Sequence, residues 1–178
     1  QVRPQTARTL AIAYDQIFDG IRRDEALVRF LSAKALQYKL DNRKSAFADI
    51  QRNIEDRILR DVLAKPSKVR TNYPGTESTL AILRTVLDWP ASRKEVRALI
   101  HEIVENSTVV DGLSGEKGLA GYSVIAPHFL SWFLELYGRV DPSLMSEIIA
   151  AHPRIKETFH FFADTWIGRQ YYPNIGDS

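Results

Sequence analysis

The sequence contains no cysteine, and this absence removes several kinds of chemistry. A chain without cysteine forms no disulfide, offers no thiolate to a metal ion and has no cysteine nucleophile. The sequence also lacks a run of about 18 apolar residues, the length that a membrane-spanning helix needs. Three motifs are missing as well: Gly-x-Ser-x-Gly, the glycine-rich phosphate-binding motif with its lysine, and a His-x-x-x-His pair. Their absence disfavours a hydrolase or a phosphatase.

Neither charge sign is in large excess, because 24 Lys and Arg residues stand against 22 Asp and Glu residues, for a formal charge of +2. A nearly balanced chain lacks the basic character of a nucleic-acid-binding protein. Residues 65–70, with two lysines and an arginine, are a local exception. Two interpretations are open for this segment: a solvated linker, or a cationic rim that attracts an anionic polymer.

Apolar residues recur with the period of a helix along almost the whole chain. The pattern predicts a helical hairpin over residues 10–36 with a turn near Gly20, and a third helix over residues 44–64 that Pro66 ends. Further helices are predicted near residues 80–87, 92–104, 119–137, 141–150 and 153–167. No segment alternates as a strand does. We therefore expect an all-α fold of about eight helices joined mostly by short turns.

The size of the chain favours one domain. Its 178 residues are 44% hydrophobic, which is enough for a sizeable core, so we expect residues 1–178 to form a single all-α domain. The chain begins without methionine and stops in a turn-like sequence, Asn174–Ser178. We therefore expect it to be a fragment of a longer protein.

Loops with reactive side chains lie at three predicted helix ends. Residues 110–123 hold four glycines and a cluster of Asp, Glu, Lys and Tyr, and end in Tyr122 at a predicted helix start. Connections in compact domains usually take about 4–6 residues, so this longer segment favours a ligand-binding surface. The other two loops are residues 71–78 and 170–174. Helix ends that converge on one face could line a single groove.

Two of these loops carry a family resemblance. An Asn-Tyr-Pro-Gly-Thr loop at residues 72–76 precedes an Asp-Gly-x-x-x-Glu loop that starts at Asp111 and reaches Gly-Tyr-Ser at residue 123, followed by an aromatic helix. This pairing resembles the heparinase II/III and alginate lyase type of polysaccharide lyases. The resemblance implies that the helices are hairpins of an incomplete (α/α) toroid, the N-terminal part of a protein that continues in antiparallel β-sheet domains. It also implies a periplasmic or secreted protein that acts on acidic polysaccharide and needs no cofactor.

The resemblance assigns catalytic roles to three residues. Asn72 would help to neutralise the carboxylate of a uronate, and Tyr122 would act as proton acceptor and donor in a β-elimination. Tyr73 stands where many members of the family have a histidine, and it is the third catalytic candidate. The match of the second loop has one extra residue before Tyr122. A tyrosine has an ordinary pKa of about 10, so this role requires nearby cations or hydrogen bonds that favour phenolate.

Five further residues are candidates for substrate binding, and none of the candidates has metal-ligand spacing. They are Glu116, Lys117, His128, Tyr171 and Tyr172. Lys117, Arg169 and the segment 65–70 are the cations that could act on Tyr122.

Simpler interpretations stay open beside the family. Tyr122 can be an aromatic residue with a buried ring and a satisfied hydroxyl, and Asn72 can be a turn or capping residue. The four histidines are dispersed and are expected to be structural, and the spacing of Trp132, Trp166, Tyr171 and Tyr172 favours the core. On these terms the chain is a non-catalytic helical scaffold that binds a glycan or a protein partner.

Overall fold

The computed structural model describes residues 3–110, 112–113, 118 and 122–175, and these residues form helices and no strand. The helices are α1 (Pro4–Ile21), α2 (Glu25–Gln37), α3 (Phe47–Ile54), α4 (Arg60–Ala64), α5 (Gly75–Asp88), α6 (Arg93–Ser107), α7 (Ile125–Val140), α8 (Pro142–Ala151) and α9 (Arg154–Asp164). A π-helical turn, Glu55–Leu59, joins α3 to α4, so that residues 47–64 form one continuous helix. The predicted all-α class is confirmed, and counted this way the described residues hold eight helices. None of these helices has the length and apolar character needed to cross a membrane.

Contacts along the chain group it into two compact units, and unit 1 comprises residues 1–71 and 79–93. Its core contains the apolar faces of the first helices, among them Ala11, Leu59 and Leu83. Within this core the Tyr14 hydroxyl donates to Glu55 Oε1 at 2.7 Å. Burial and the Glu55 carboxylate both raise the pKa of Tyr14, so the phenol stays neutral and links α1 to the π-helical turn.

Unit 2 comprises residues 72–78 and 94–178. Its core is built by α6, α7, α8 and α9, and its largest fully buried side chains include Phe133 and Tyr137 on α7 and Ile100 and Ile103 on α6. The rings of Phe133 and Tyr137 meet edge to face at 4.8 Å between centroids. A single residue, Asp141, separates α7 from α8, and two residues separate α8 from α9. The seven residues 72–78 group with the helices of unit 2, although residues 79–93, which separate them from those helices along the chain, group with unit 1.

Several details differ from the sequence predictions. The α-helix predicted from residue 119 begins at Ile125, because residues 122–124 form a 3₁₀ turn. The helix predicted to residue 167 ends at Asp164, which leaves Trp166 outside it. The assignment of the aromatic residues to the core was wrong for three of them: Trp132 is 40% exposed, Trp166 49% and Tyr171 59%. Spacing alone could not show this, since α7 buries only part of its apolar arc and α9 ends before Trp166 and Tyr171.

Candidate functional site

The first motif loop is fixed to the end of α6 by Tyr73. The Tyr73 hydroxyl donates to the backbone carbonyls of Glu102 and Ile103, at 3.2 and 3.3 Å. The loop then enters α5 through a turn in which the Gly75 amide donates to the Asn72 carbonyl at 2.8 Å. These bonds hold Asn72 beside the last two turns of α6.

The second motif loop begins where α6 ends. The amide of Gly112 donates to the carbonyl of Thr108, and its own carbonyl accepts from the buried Thr158 hydroxyl on α9. The Arg154 guanidinium at the start of α9 donates to the carbonyl of Val109 at 3.1 Å. The start of this loop is therefore held between α6 and α9, and both motif loops meet the C-terminal end of α6.

Gly112 is required at this point of the loop. Its φ is +87°, in the left-handed region that side-chain-bearing residues rarely adopt. A Cβ atom on Gly112 would lie 2.6 Å from the Thr158 amide nitrogen and 2.8 Å from the Glu157 carbonyl carbon. A glycine is thus the residue that lets the loop backbone approach α9.

The proposed proton-transfer residue and the proposed carboxylate-neutralising residue are both accessible. Asn72 is exposed, and Tyr122 is 42% exposed in the 3₁₀ turn that leads into α7. The alternative in which the ring of Tyr122 is buried is therefore wrong. This turn is tied to the glycine-rich loop, because the Ser123 amide donates to the Gly118 carbonyl at 3.0 Å. Asn72 and Tyr122 both belong to unit 2.

The other candidates are distributed differently. His128 is exposed on the first turn of α7. Tyr171 is exposed and pairs with Ile167 in an isolated bridge, whereas Tyr172 is half-buried, with its ring 6.0 Å from that of Phe162. Glu116, Lys117 and Asp111 lie outside the described residues.

Tyr73 has an environment unlike that of a proton acceptor. Burial is the main cause that raises the pKa of Tyr73 to about 12; hydrogen bonds with the Asn106 and Ser107 side chains act in the opposite direction, and the carboxylates of Glu77 and Glu102 act with burial. A neutral phenol that donates to backbone carbonyls can position a loop, so these contacts give Tyr73 a positioning role, and the catalytic role that the resemblance implies stays a prediction. One buried oxygen in the same unit, Glu77 Oε2, has no hydrogen-bond partner among the described residues. It leaves hydrogen-bonding capacity close to the loop that Tyr73 holds.

Sequence reasoning missed a chain of charged and imidazole groups on α6 and α8. His101 Nε2 lies 2.8 Å from Glu147 Oε1, and its Nδ1 lies 2.9 Å from His152 Nε2. His152 Nδ1 lies 2.9 Å from Glu105 Oε2. We call these four residues the imidazole chain. The histidines are fifty-one positions apart in the sequence. They meet where the C-terminal end of α8, which His152 directly follows, lies beside α6.

The imidazole chain can hold a limited number of protons. With both carboxylates ionised, the three contacts of this line can hold at most three protons, because each contact shares one. A fourth proton would set two N–H groups against each other between His101 and His152. Burial lowers the pKa of His101, and the charges of His152 and Arg97 lower it further.

A buried ion pair lies next to the imidazole chain. The Arg97 guanidinium donates to Asp141 Oδ2 at 2.6 Å, and Asp141 is only 4% exposed. Asp141 also accepts from the Ser143 hydroxyl at 2.9 Å. Asp141 stands at the N-cap position of α8, but its side chain makes no capping bond and holds Arg97 instead. A lone sequence offers no signal for this pairing, because the partners lie forty-four positions apart.

Two other features of the described residues bear on ligands. Among them, no group of three or more His, Asp or Glu side chains is arranged so that it could hold a metal ion; the members of the imidazole chain are hydrogen-bonded to one another in a line. In the segment 65–70, the ammonium groups of Lys65 and Lys68 both pair with Asp61, and Val69 is buried. This pairing favours the linker interpretation of the segment over the cationic rim.

Comparison with known proteins adds no relative. No protein-family model matches the chain, and neither a curated protein nor a solved structure shows significant similarity to it. The functional argument therefore depends on the motif residues and on the contacts made around them.

Proposed function

We propose that this chain carries the catalytic loops of a polysaccharide lyase that cleaves uronate-containing chains by β-elimination. The observation that carries the proposal is the meeting of the two motif loops at the C-terminal end of α6. The first is tied there by the Tyr73 hydroxyl, and the second leaves that end directly. Two loops that are separated by two helices in sequence can in this way serve one substrate.

The chemistry requires an acceptor for a proton on carbon. In β-elimination a base takes the proton from C5 of the uronate, the electron pair forms the C4–C5 double bond, and the bond from C4 to the glycosidic oxygen breaks. The negative charge that develops on the carboxylate side must be stabilised in the transition state. The exposed carboxamide of Asn72 can donate to that carboxylate. In this proposal the exposed side chain of Tyr122 acts as phenolate, accepts the C5 proton to become a phenol, and gives that proton to the leaving glycosidic oxygen.

The remaining residues have supporting roles in this proposal. Tyr73 positions Asn72, and Gly112 allows the second loop to rest on α9. Glu116, Lys117, His128, Tyr171 and Tyr172 are proposed to contact the sugar chain. The partner is an acidic polysaccharide, met in the periplasm or outside the cell, and the helices are proposed to be part of an (α/α) toroid completed by further domains.

The test is the ultraviolet absorbance of the unsaturated uronate product, followed with full-length protein on a panel of uronate polymers. Replacing the phenol in Tyr122→Phe removes the proton acceptor, and we expect a loss of at least about a hundredfold in kcat. Tyr38→Phe is the matched control, because Tyr38 is an exposed tyrosine in unit 1. Absence of product on every polymer, or equal rates for Tyr122→Phe and wild type, would leave the non-catalytic scaffold as the better interpretation.

A further inference from the structure

A basic pocket in unit 1 has no role in the proposed reaction. It has a volume of about 770 Å³ and lies where the segment 39–44, between α2 and α3, faces the continuous helix 47–64. Its lining includes five cationic side chains and two acidic ones, a local excess of three positive charges in a chain whose formal net charge is +2. The cations are Lys39, Arg43, Lys44, Arg52 and Arg57.

Most of these cations are not neutralised within the protein. Arg52 pairs with Asp49 at 3.3 Å. The side chains of Lys39, Arg43, Lys44 and Arg57 form no hydrogen bond or ion pair with any described residue, although they share the pocket. Like charges gathered in this way repel one another, so an anion that enters the pocket is attracted by several of them at once and reduces their repulsion.

The two acidic side chains of the lining leave these four cations unpaired, because Asp41 forms no ion pair with a described residue and Asp49 is bound elsewhere. Asp49 accepts from the Ser45 hydroxyl at 2.6 Å and from the Ser45 and Ala46 amides, and these bonds lower the pKa of Asp49 to about 2. Its carboxylate is thereby committed to the start of α3. Lys39 has a φ of +53° because it ends α2 in a Schellman turn, in which the Leu40 amide donates to the Ala35 carbonyl at 2.8 Å, and this turn places Lys39 at the edge of the pocket.

The lining also indicates the kind of anion. The volume falls within the range of about 300–1,000 Å³ typical of ligand pockets, and it exceeds what one inorganic ion needs. The carboxamides of Asn42 and Asn53 can bind hydroxyl groups, as a sugar requires. Aromatic side chains, on which nucleic-acid bases stack, are absent from the lining.

We propose that this pocket is a second binding site that holds a carboxylated or sulfated oligosaccharide without acting on it. The choice of a sugar as the ligand rests on the proposed function, whereas the choice of an anion rests on the pocket alone. A lyase with such a site would hold its polymer at a second point, which raises the effective concentration of the chain at the catalytic loops.

Binding is tested by calorimetry on the full chain with four probes: a uronate hexasaccharide, a sulfated hexasaccharide, inorganic sulfate and a thymidine hexanucleotide. The double variant Arg43→Gln/Arg57→Gln removes two unpaired cations, and we expect it to bind either sugar about tenfold more weakly. The matched control is Arg3→Gln/Lys94→Gln, which makes the same change of net charge at exposed positions outside the pocket. We expect its affinity to stay within about twofold of wild type.

The outcomes separate the two proposals. Lyase activity is read from Tyr122→Phe and sugar affinity from Arg43→Gln/Arg57→Gln, so a protein without lyase activity can still confirm the pocket, and an active lyase can still lack it. Equal affinity of wild type and Arg43→Gln/Arg57→Gln for both sugars would overturn the site. The assignment to an oligosaccharide would be overturned if the hexanucleotide, or inorganic sulfate, bound more tightly than either sugar. Amide chemical shifts of residues 39–44 should move on titration with the sugar.

Discussion

Three glycines allow the contact between the second motif loop and α9 to be measured. The same change to alanine meets a different obstacle at each of them. Gly20 lies in α1 with nothing within 4 Å of the position that a methyl group would take, and Gly168 has a φ of +57° but equally open surroundings. Gly112 combines a φ of +87° with close contacts to the backbone of α9. The series therefore separates backbone strain from steric exclusion.

The expected free energies differ in sign as well as in size. Gly20→Ala should stabilise the protein by about 0.5–1 kcal/mol, because alanine is the better helix former. Gly168→Ala should cost about 1 kcal/mol, since the left-handed conformation costs an L-residue about 1–2 kcal/mol and the stiffer unfolded chain returns part of this. Gly112→Ala should cost the same backbone strain of about 1 kcal/mol, a further amount of about 1–3 kcal/mol from overpacking against α9, and a weakened hydrogen bond from Thr158. The expected total is about 3–5 kcal/mol.

Urea unfolding followed by circular dichroism gives the three values on one scale. If Gly112→Ala costs no more than Gly168→Ala, the loop does not rest on α9, and the argument that fixes its place at the end of α6 fails. If Gly20→Ala destabilises the protein as well, the three sites do not report on strain and contact separately. Under the proposed function, Gly112→Ala should also lower the lyase rate in protein that is still folded.

Two further predictions concern the charged groups of unit 2. Arg97→Met removes the partner of the buried Asp141 carboxylate, and it should lower the free energy of unfolding in urea by about 3 kcal/mol. Arg97→Lys keeps a positive charge and should recover part of this loss. A loss near zero in Arg97→Met would show that Asp141 does not depend on this pair. The pKa of His101 in the folded protein is lowered from 6.5, so the unfolded chain binds a proton on His101 more readily than the folded protein does. The neutral ring therefore contributes stability above about pH 6.5, and this contribution is lost as the pH falls through the lower pKa of the folded protein. His101→Gln should flatten the decline of unfolding free energy below that pH, with the exposed His160→Gln as the matched control, and an unchanged slope in His101→Gln would contradict this assignment.

The helices could be predicted because their signals are local. The apolar period of residues 47–64 and the proline at residue 66 are enough to give the third helix and its end, and the structure ends that helix at Ala64. The π-helical turn inside it has no such signal. There Glu55 accepts from Tyr14, forty-one positions earlier, and a period of 3.6 residues contains no information about that partner.

The candidate site shows the same division between local and distant information. Motif spacing was enough to single out Asn72 and Tyr122 as polar groups at helix ends, and the structure leaves both accessible. The same spacing gave Tyr73 a catalytic role, although its hydroxyl is turned to the carbonyls of α6. Which way a loop residue points depends on the helix that it meets, and that helix is encoded elsewhere in the chain.

Groups that act in pairs are the hardest to find in a lone sequence. His101 and His152 each look like an isolated structural histidine, and their meaning changes only when α6 and α8 place one ring nitrogen 2.9 Å from the other. The basic pocket is intermediate, because Lys39, Arg43 and Lys44 stand together in the sequence while Arg57 joins them from the next helix. A short charge cluster in a loop therefore becomes informative when the fold brings it cations from a second element and leaves them without carboxylate partners. The segment 65–70 is the contrasting case in this chain, since Asp61 pairs with two of its lysines.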